Sequence, residues 1–157
     1  MPARSSLPAD RAGILQAAAR SGVFNDEEMQ VVGELFDDYL RDKVGTGYYF
    51  LSYHAGEQVL GFACWGPTDL TRNTADLYWI CTAPQAQGRG VGSALFHAVE
   101  DAVRAMDRRI IIIWTSSRPE YEAARQLYRR VGCEISAQIR GFFDDDDDLC
   151  LYTRHLT

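Results

Sequence analysis

The chain has 157 residues, 46% hydrophobic and 24% charged, with a formal net charge of −6. Residues 1–157 are therefore read as one domain, large enough to bury roughly two thirds of its unfolded surface without a disulfide or metal staple. The acid excess disfavours nucleic acid and mildly favours a cationic partner, and no apolar run has signal-peptide or membrane-span length, so a soluble cytoplasmic protein with no membrane contact is expected.

Residues 6 to 21 read as a helix capped by Ser6, with Ile14, Leu15 and Ala18 inward and Gly22 as its stop. Asn25-Asp-Glu-Glu28 has the form of a capping box. It opens a second helix to about Leu40, with Met29, Val32, Leu35, Phe36, Tyr39 and Leu40 inward. The opposite face carries Asp26, Glu27, Glu34, Asp37, Asp38 and Asp42 and reads as a solvated surface. No strand is evident ahead of these helices; one could be hidden only in residues 1 to 5.

After the Gly45-Thr-Gly47 break, residues 48–53 and 59–65 read as a hairpin turning around Ala55-Gly-Glu57. Leu77-Tyr-Trp-Ile-Cys81 reads as a strand, and residues 82–90 as a glycine-rich turn. Val91, Ala94, Leu95, Ala98, Val99, Ala102, Val103 and Met106 then form one buried helical stripe, opposite His97, Glu100, Asp101 and Arg104. Ile110-Ile-Ile-Ile-Trp114 is an apolar run of strand length, as expected where both sheet faces are covered. Strand, helix and strand make a right-handed crossover. A helix capped by Ser117 and Glu120 follows, with Tyr121, Ala124, Tyr128 and Val131 on one face. Cys64, Cys81, Cys133 and Cys150 lie in or beside apolar segments without Cys-x-x-Cys spacing, so buried reduced thiols are expected.

The turn before the third helix suits a phosphate. Gly88, Gly90 and Gly92 let an anion approach the backbone, the amides of the helix's first turn point at it, and Arg89 adds positive charge. The segment lacks the lysine of a P-loop and the glycine spacing of a dinucleotide fold. It does match Gln-x-x-Gly-x-Gly, as Gln87, Gly90 and Gly92, and resembles the acyl-CoA pyrophosphate loop of the GNAT family of N-acetyltransferases. The likeness extends over roughly residues 48 to 156. Ala124, Leu127, Tyr128 and Gly132 occupy the family pattern Ala-x-x-Leu-Tyr-x-x-x-Gly-Phe, whereas Cys133 replaces its Phe and Tyr121 its frequent Asn. The ending from Ile139 to Arg154 looks like the closing hairpin of small bacterial members.

The resemblance implies an α/β fold with a mixed, mostly antiparallel sheet, and acetyl-CoA as acyl donor without a metal. Two parallel strands would splay to admit the donor. The pantetheine would pair with the backbone of Ile80, Cys81 and Thr82, and the pyrophosphate would lie on Gln87, Gly88, Arg89, Gly90, Val91, Gly92 and Ser93. Tyr128 becomes the acid for the departing thiolate, although its spacing also suits a core residue. Asp76 is the candidate base, with Tyr78 beside it, and a backbone amide of the splayed strand would polarise the carbonyl. The acceptor implied is a small primary amine admitted beside the acidic second helix and the Gly45–Gly47 break. The rival readings are a non-catalytic acyl-CoA-binding module and acetylation of a protein N-terminus or lysine; self-association as a homodimer is left open. His54, His97 and His155 are poorly placed as bases, Ser117 lacks a G-x-S-x-G elbow, and Asp144–Asp148 reads as a solvated hairpin tip rather than a cation site.

Overall fold

The computed structural model describes residues 2–156. Its elements are β1 (Ala3–Ser5), α1 (Arg11–Ser21), α2 (Asp26–Thr46), β2 (Tyr49–Ala55), β3 (Gln58–Pro67), β4 (Thr74–Thr82), α3 (Val91–Ala105), β5 (Ile110–Ser116), α4 (Glu122–Arg130), β6 (Glu134–Asp144) and β7 (Asp147–His155). The strands form one sheet in the order β1-β2-β3-β4-β5-β7-β6. Every pairing is antiparallel except β4 with β5, which are joined through α3. The mixed, mostly antiparallel α/β architecture is the one expected.

The amino terminus differs from expectation. A strand does precede α1, pairing Ala3 to Ser5 with Leu51 to Tyr53. Ser6 caps no helix: its amide extends this pairing to the Phe50 carbonyl and its hydroxyl meets Ser52. The chain then makes a single 3-10 turn at Pro8–Asp10, where Asp10 Oδ2 accepts the Leu7 N–H at 2.7 Å, and α1 starts only at Arg11. Gly22 does end it, at φ +76°.

In α2 the capping box is reciprocal, Asn25 accepting the Glu28 amide at 2.8 Å and Glu28 the Asn25 amide at 3.2 Å. The helix continues past Leu40, which is exposed, through a non-helical residue at Asp42 to a last turn ending on Gly47. Asp42 starts that turn by accepting the Gly45 amide at 3.0 Å.

The sheet separates two buried clusters. One, around Trp65, Leu95, Phe96, Val99, Ile111 and Tyr152, lies under α3 and α4; the other, around Ile14, Val32, Phe36, Phe50 and Phe62, lies under α1 and α2. Because α1 and α2 pack on β2, β3 and β4, the β5 side of that face stays bare. The expectation that β5 is covered on both faces therefore fails. Ile111 and Ile113 are buried, Ile110 and Ile112 half-buried, and Trp114 is exposed. All four cysteines are buried free thiols.

Long-range contacts account for the other departures. Glu100, assigned to the polar face of α3, is buried, between His97 Nδ1 at 2.7 Å and Arg154 Nε at 3.1 Å. Met106 lies beyond the end of α3 and is exposed. Ser117 and Glu120 do not cap α4: a 3-10 turn at Pro119–Tyr121 intervenes, and Ser117 Oγ accepts the Asp148 N–H at 2.8 Å from β7. The tip of the β6–β7 hairpin is not wholly solvated, because Asp147 is buried with Ser116 as its partner.

Candidate active site

The parallel pairing of β4 with β5 covers only Thr74 to Asp76 against Ile110 to Ile112. Beyond it the strands diverge, so the β5-facing backbone of Tyr78 to Thr82 lies outside any ladder and is available to an extended ligand. Across β4, the pairing with β3 steps from Cys64–Trp79 to Trp65–Leu77 and leaves Tyr78 bulged.

The cleft opened by this splay has a volume of about 1150 Å³. Ile80, Cys81, Thr82, Gln87, Gly88, Gly90, Val91, Gly92 and Ser93 line one end, with Leu127 and Tyr128 of α4 facing them. Gly88 and Gly90 both have φ +78°, and a Cβ on either would meet no atom within 4 Å. This open space would let an anion approach the backbone closely. Ala94 gives the first i→i−4 bond of α3, to the Gly90 carbonyl at 3.0 Å, so the amides of Val91, Gly92 and Ser93 precede the helical ladder. Gly92 serves packing: its Cβ would stand 3.0 Å from Leu127 Cδ2, where α3 passes α4.

Two predicted residues stand apart. Arg89 is exposed and outside the cleft wall. Asp76, the candidate base, does not line the cleft either; its Oδ2 accepts the Thr68 hydroxyl at 2.6 Å. Tyr78, beside it, does reach the wall. Burial, and then Asp76, raise the Tyr78 phenol well above the ordinary tyrosine range, so it is no base at neutral pH.

Tyr128 is buried against Tyr152, with ring centroids 5.6 Å apart, yet borders the cleft. Burial is the main cause that lifts its phenol far above the usual value, followed by Cys133 and Tyr152. It therefore holds its proton across the neutral range, as an acid must. Burial pushes the Cys81 thiol up to about 11, against a smaller lowering by Ser21, so no thiolate nucleophile forms there at neutral pH.

At the other end, Val23, Phe24, Asn25 and Glu28 of the α1–α2 turn face Trp114, Tyr121, Phe143 and Asp147. The Tyr121 hydroxyl bridges this end by donating to the Val23 carbonyl at 3.5 Å. Of the acidic second helix only the start, Asn25 and Glu28, lines the cleft; Glu34, Asp37, Asp38, Asp42 and the Gly45–Gly47 break are not on its wall. Asp37 instead pairs with Arg11 at 2.9 Å and Asp38 with Arg41 at 3.1 Å. Of the hairpin aspartates, Asp146 binds Arg118 at 2.7 Å. Among the described residues no group of three or more His, Cys, Asp or Glu side chains is arranged to hold a metal.

Sequence reasoning also missed Gln126 and Arg130, which line the cleft beside Leu127. Their signal was available, since residues 123, 126, 127 and 130 share one helical face. The acceptor-side aromatics carried no such local signal.

A model described as "Acetyltransferase (GNAT) family" matches residues 13–133. A solved structure from Desulfovibrio desulfuricans, assigned to the same family, is similar at 33% identity and a TM-score of 0.94, covering 99% of this chain and 98% of that one. A Salmonella typhimurium structure, YncA with its cofactor acetyl-CoA, shares the fold at 20% identity and a TM-score of 0.79, covering 99% and 93%. An uncharacterised N-acetyltransferase of Methanocaldococcus jannaschii is 29% identical over 105 residues, 65% of this chain. The match spans 44% of that relative, less than half its length.

Proposed function

Because the chain belongs to the GNAT acetyltransferase family, we propose that it moves an acetyl group from acetyl-CoA to a primary amine of a small molecule. The observation that carries this reading is the splay of β4 from β5 beyond Asp76, with the glycine turn of α3 at one end and the protonated Tyr128 on its wall. We read residues 1–157 as one such domain.

In this reading Ile80, Cys81 and Thr82 offer backbone groups to the pantetheine amides. The pyrophosphate sits on Gln87 to Ser93 at the amino end of α3, where free amides and the helix dipole favour negative charge. Arg89 adds charge from outside the wall, and Arg130 adds it from α4. The bulge at Tyr78 turns a β4 amide out of the β3 ladder, and that amide is the donor assigned to the thioester oxygen.

The acceptor arrives as an ammonium and sheds one proton to water or to a carboxylate on the cleft wall. Asp76, off the wall with its carboxylate on the Thr68 hydroxyl, is not placed to take that proton directly. The neutral nitrogen attacks the thioester carbonyl carbon, and the N–C bond forms as the C–S bond breaks. Tyr128 gives its proton to the departing CoA thiolate and is reprotonated by the second proton of the nitrogen.

Incubation with acetyl-CoA and a broad amine panel, following free thiol and product mass, tests this directly. Equimolar CoA thiol and N-acetyl product are expected with at least one small amine. Acetyl-CoA binding without thiol release would leave the binding-module reading, and release only with peptides would favour a protein acceptor.

A further inference from the structure

The acceptor end of the cleft is lined by aromatic rings, of which Phe24 and Trp79 also pack against the second core while Trp114 and Phe143 stay exposed. The bulge at Tyr78 turns two successive β4 residues, Tyr78 and Trp79, toward the α1–α2 face, where Tyr78 meets Tyr48 at 5.5 Å and Trp79 meets Phe24 edge-on at 6.0 Å. On the neighbouring strand Trp114 is 56% exposed, since α1 and α2 pack mainly on β2, β3 and β4. Phe142 stands 5.3 Å from Trp114, and Phe143 stands 5.0 Å from Phe142, 41% and 47% exposed. An apolar patch of this kind is left uncovered at a cost in solubility, and it is continuous with the wall that carries Tyr128.

Charge narrows the choice further. Glu28, Glu120 and Asp147 line this end against one arginine, Arg118. Asp147 is taken up by Ser116 and by Arg118 at 3.7 Å, and one oxygen of Glu28 holds the Asn25 amide at 3.2 Å, which leaves Glu120 and the second Glu28 oxygen to meet a cation. The Tyr121 phenol between them is raised by burial and then by Glu28, Asp147 and Glu120. An anionic acceptor is disfavoured here, and a cation is drawn in and can lie over an aromatic face.

Resting on the acyl-transfer reading above, we propose that the acceptor is an amine on a flat apolar or aromatic body, the body seated on Phe24, Trp79, Trp114 and Phe143 and the amino group beside Glu28 and Glu120. The same nitrogen then forms the amide bond, one proton leaving to the cleft carboxylates or water and the other ending on the CoA thiol.

The test compares kcat/KM with acetyl-CoA for 2-phenylethylamine and tryptamine against n-propylamine, glucosamine and a short peptide with a free N-terminus. The arylalkylamines should exceed the others by roughly tenfold or more, the scale of burying one ring. Trp114→Ala and Phe143→Ala should collapse that ratio chiefly through KM, while the acetyl-CoA melting shift persists. Glucosamine, propylamine or the peptide used as well as the arylalkylamines would overturn this inference and leave acyl transfer standing. Acetyl-CoA binding with no thiol release for any of these amines or for any other member of the broad panel would overturn both.

Discussion

Replacing Gly90 by valine separates backbone strain from ligand exclusion. Gly90 caps α3 at φ +78°, and a Cβ there would meet nothing within 4 Å. The apo protein therefore suffers no clash, only the left-handed conformation, at about 1–3 kcal/mol. For a chain of this size that lowers the melting temperature by about 2–12 °C. The added side chain points into the space assigned to the pyrophosphate. Acetyl-CoA at about a hundredfold over its Kd should raise the wild-type stability by about 2.7 kcal/mol, or about 5–11 °C in melting temperature. In Gly90→Val that ligand shift should vanish. Gly56→Val is the matched control: its φ is +61°, its Cβ is also unobstructed, and it sits in the β2–β3 turn outside the cleft wall. It should lose comparable stability and keep the full ligand shift. Differential scanning fluorimetry with and without acetyl-CoA reads all three proteins. Equal ligand shifts in Gly90→Val and the wild type would refute the placement of the pyrophosphate on this turn.

Tyr128→Phe should keep acetyl-CoA affinity but lower turnover about 10²-fold, the low end for a general acid; unchanged turnover with chemistry rate-limiting would return Tyr128 to the core. Because the Tyr128 phenol is raised, the wild-type rate should show no loss from its ionisation up to about pH 10, its ordinary value. Burial alone would raise Asp10, but the Leu7 amide, His54 and Arg4 together hold its carboxyl below the usual range. A depressed folded-state pKa stabilises above the unfolded value and is lost as pH falls through the folded one, so the stability gap between wild type and Asp10→Asn should be fully developed at about pH 5 and narrow below about pH 4. Denaturant titrations across pH check this, and a gap insensitive to acid would contradict it. Asp37→Asn with Asp38→Asn should leave acceptor kcat/KM and its salt dependence unchanged, since both carboxylates lie off the cleft; a salt-dependent loss would restore that face to the acceptor path.

The strand, glycine turn and helix from Leu77 to Val103 were legible because their information is local. Gln87 to Ser93 and the stripe from Val91 to Val103 sit within one strand, turn and helix, and a glycine turn fixed by a packed helix has few alternative shapes. Strand β1 was hidden because three residues, Ala3 to Ser5, carry no periodicity; their pairing with Leu51 to Tyr53 is decided by β2. Glu100 read as a surface residue because its partner Arg154 arrives from β7, 54 positions along the chain. The hydroxyl of Ser117 looked available for a helix cap, but the Asp148 amide claims it. In each case a local preference lost to a tertiary partner that no window of sequence contains.

The aromatic end of the cleft was illegible for a more general reason. Phe24, Trp79, Trp114, Tyr121 and Phe143 come from five separate stretches of chain, and two geometric events bring them together. One is the bulge that turns Trp79 to the same face as Tyr78; the other is the limit of α1 and α2 at β4, which leaves Trp114 bare. Trp114 illustrates the consequence. As the last residue of an apolar run it read as core, whereas the alternation of β5 buries Ile111 and Ile113 and presents Trp114 to the cleft. An aromatic that hydrophobicity assigns to the interior, yet the fold leaves exposed beside a cleft, is a feature that only tertiary packing reveals.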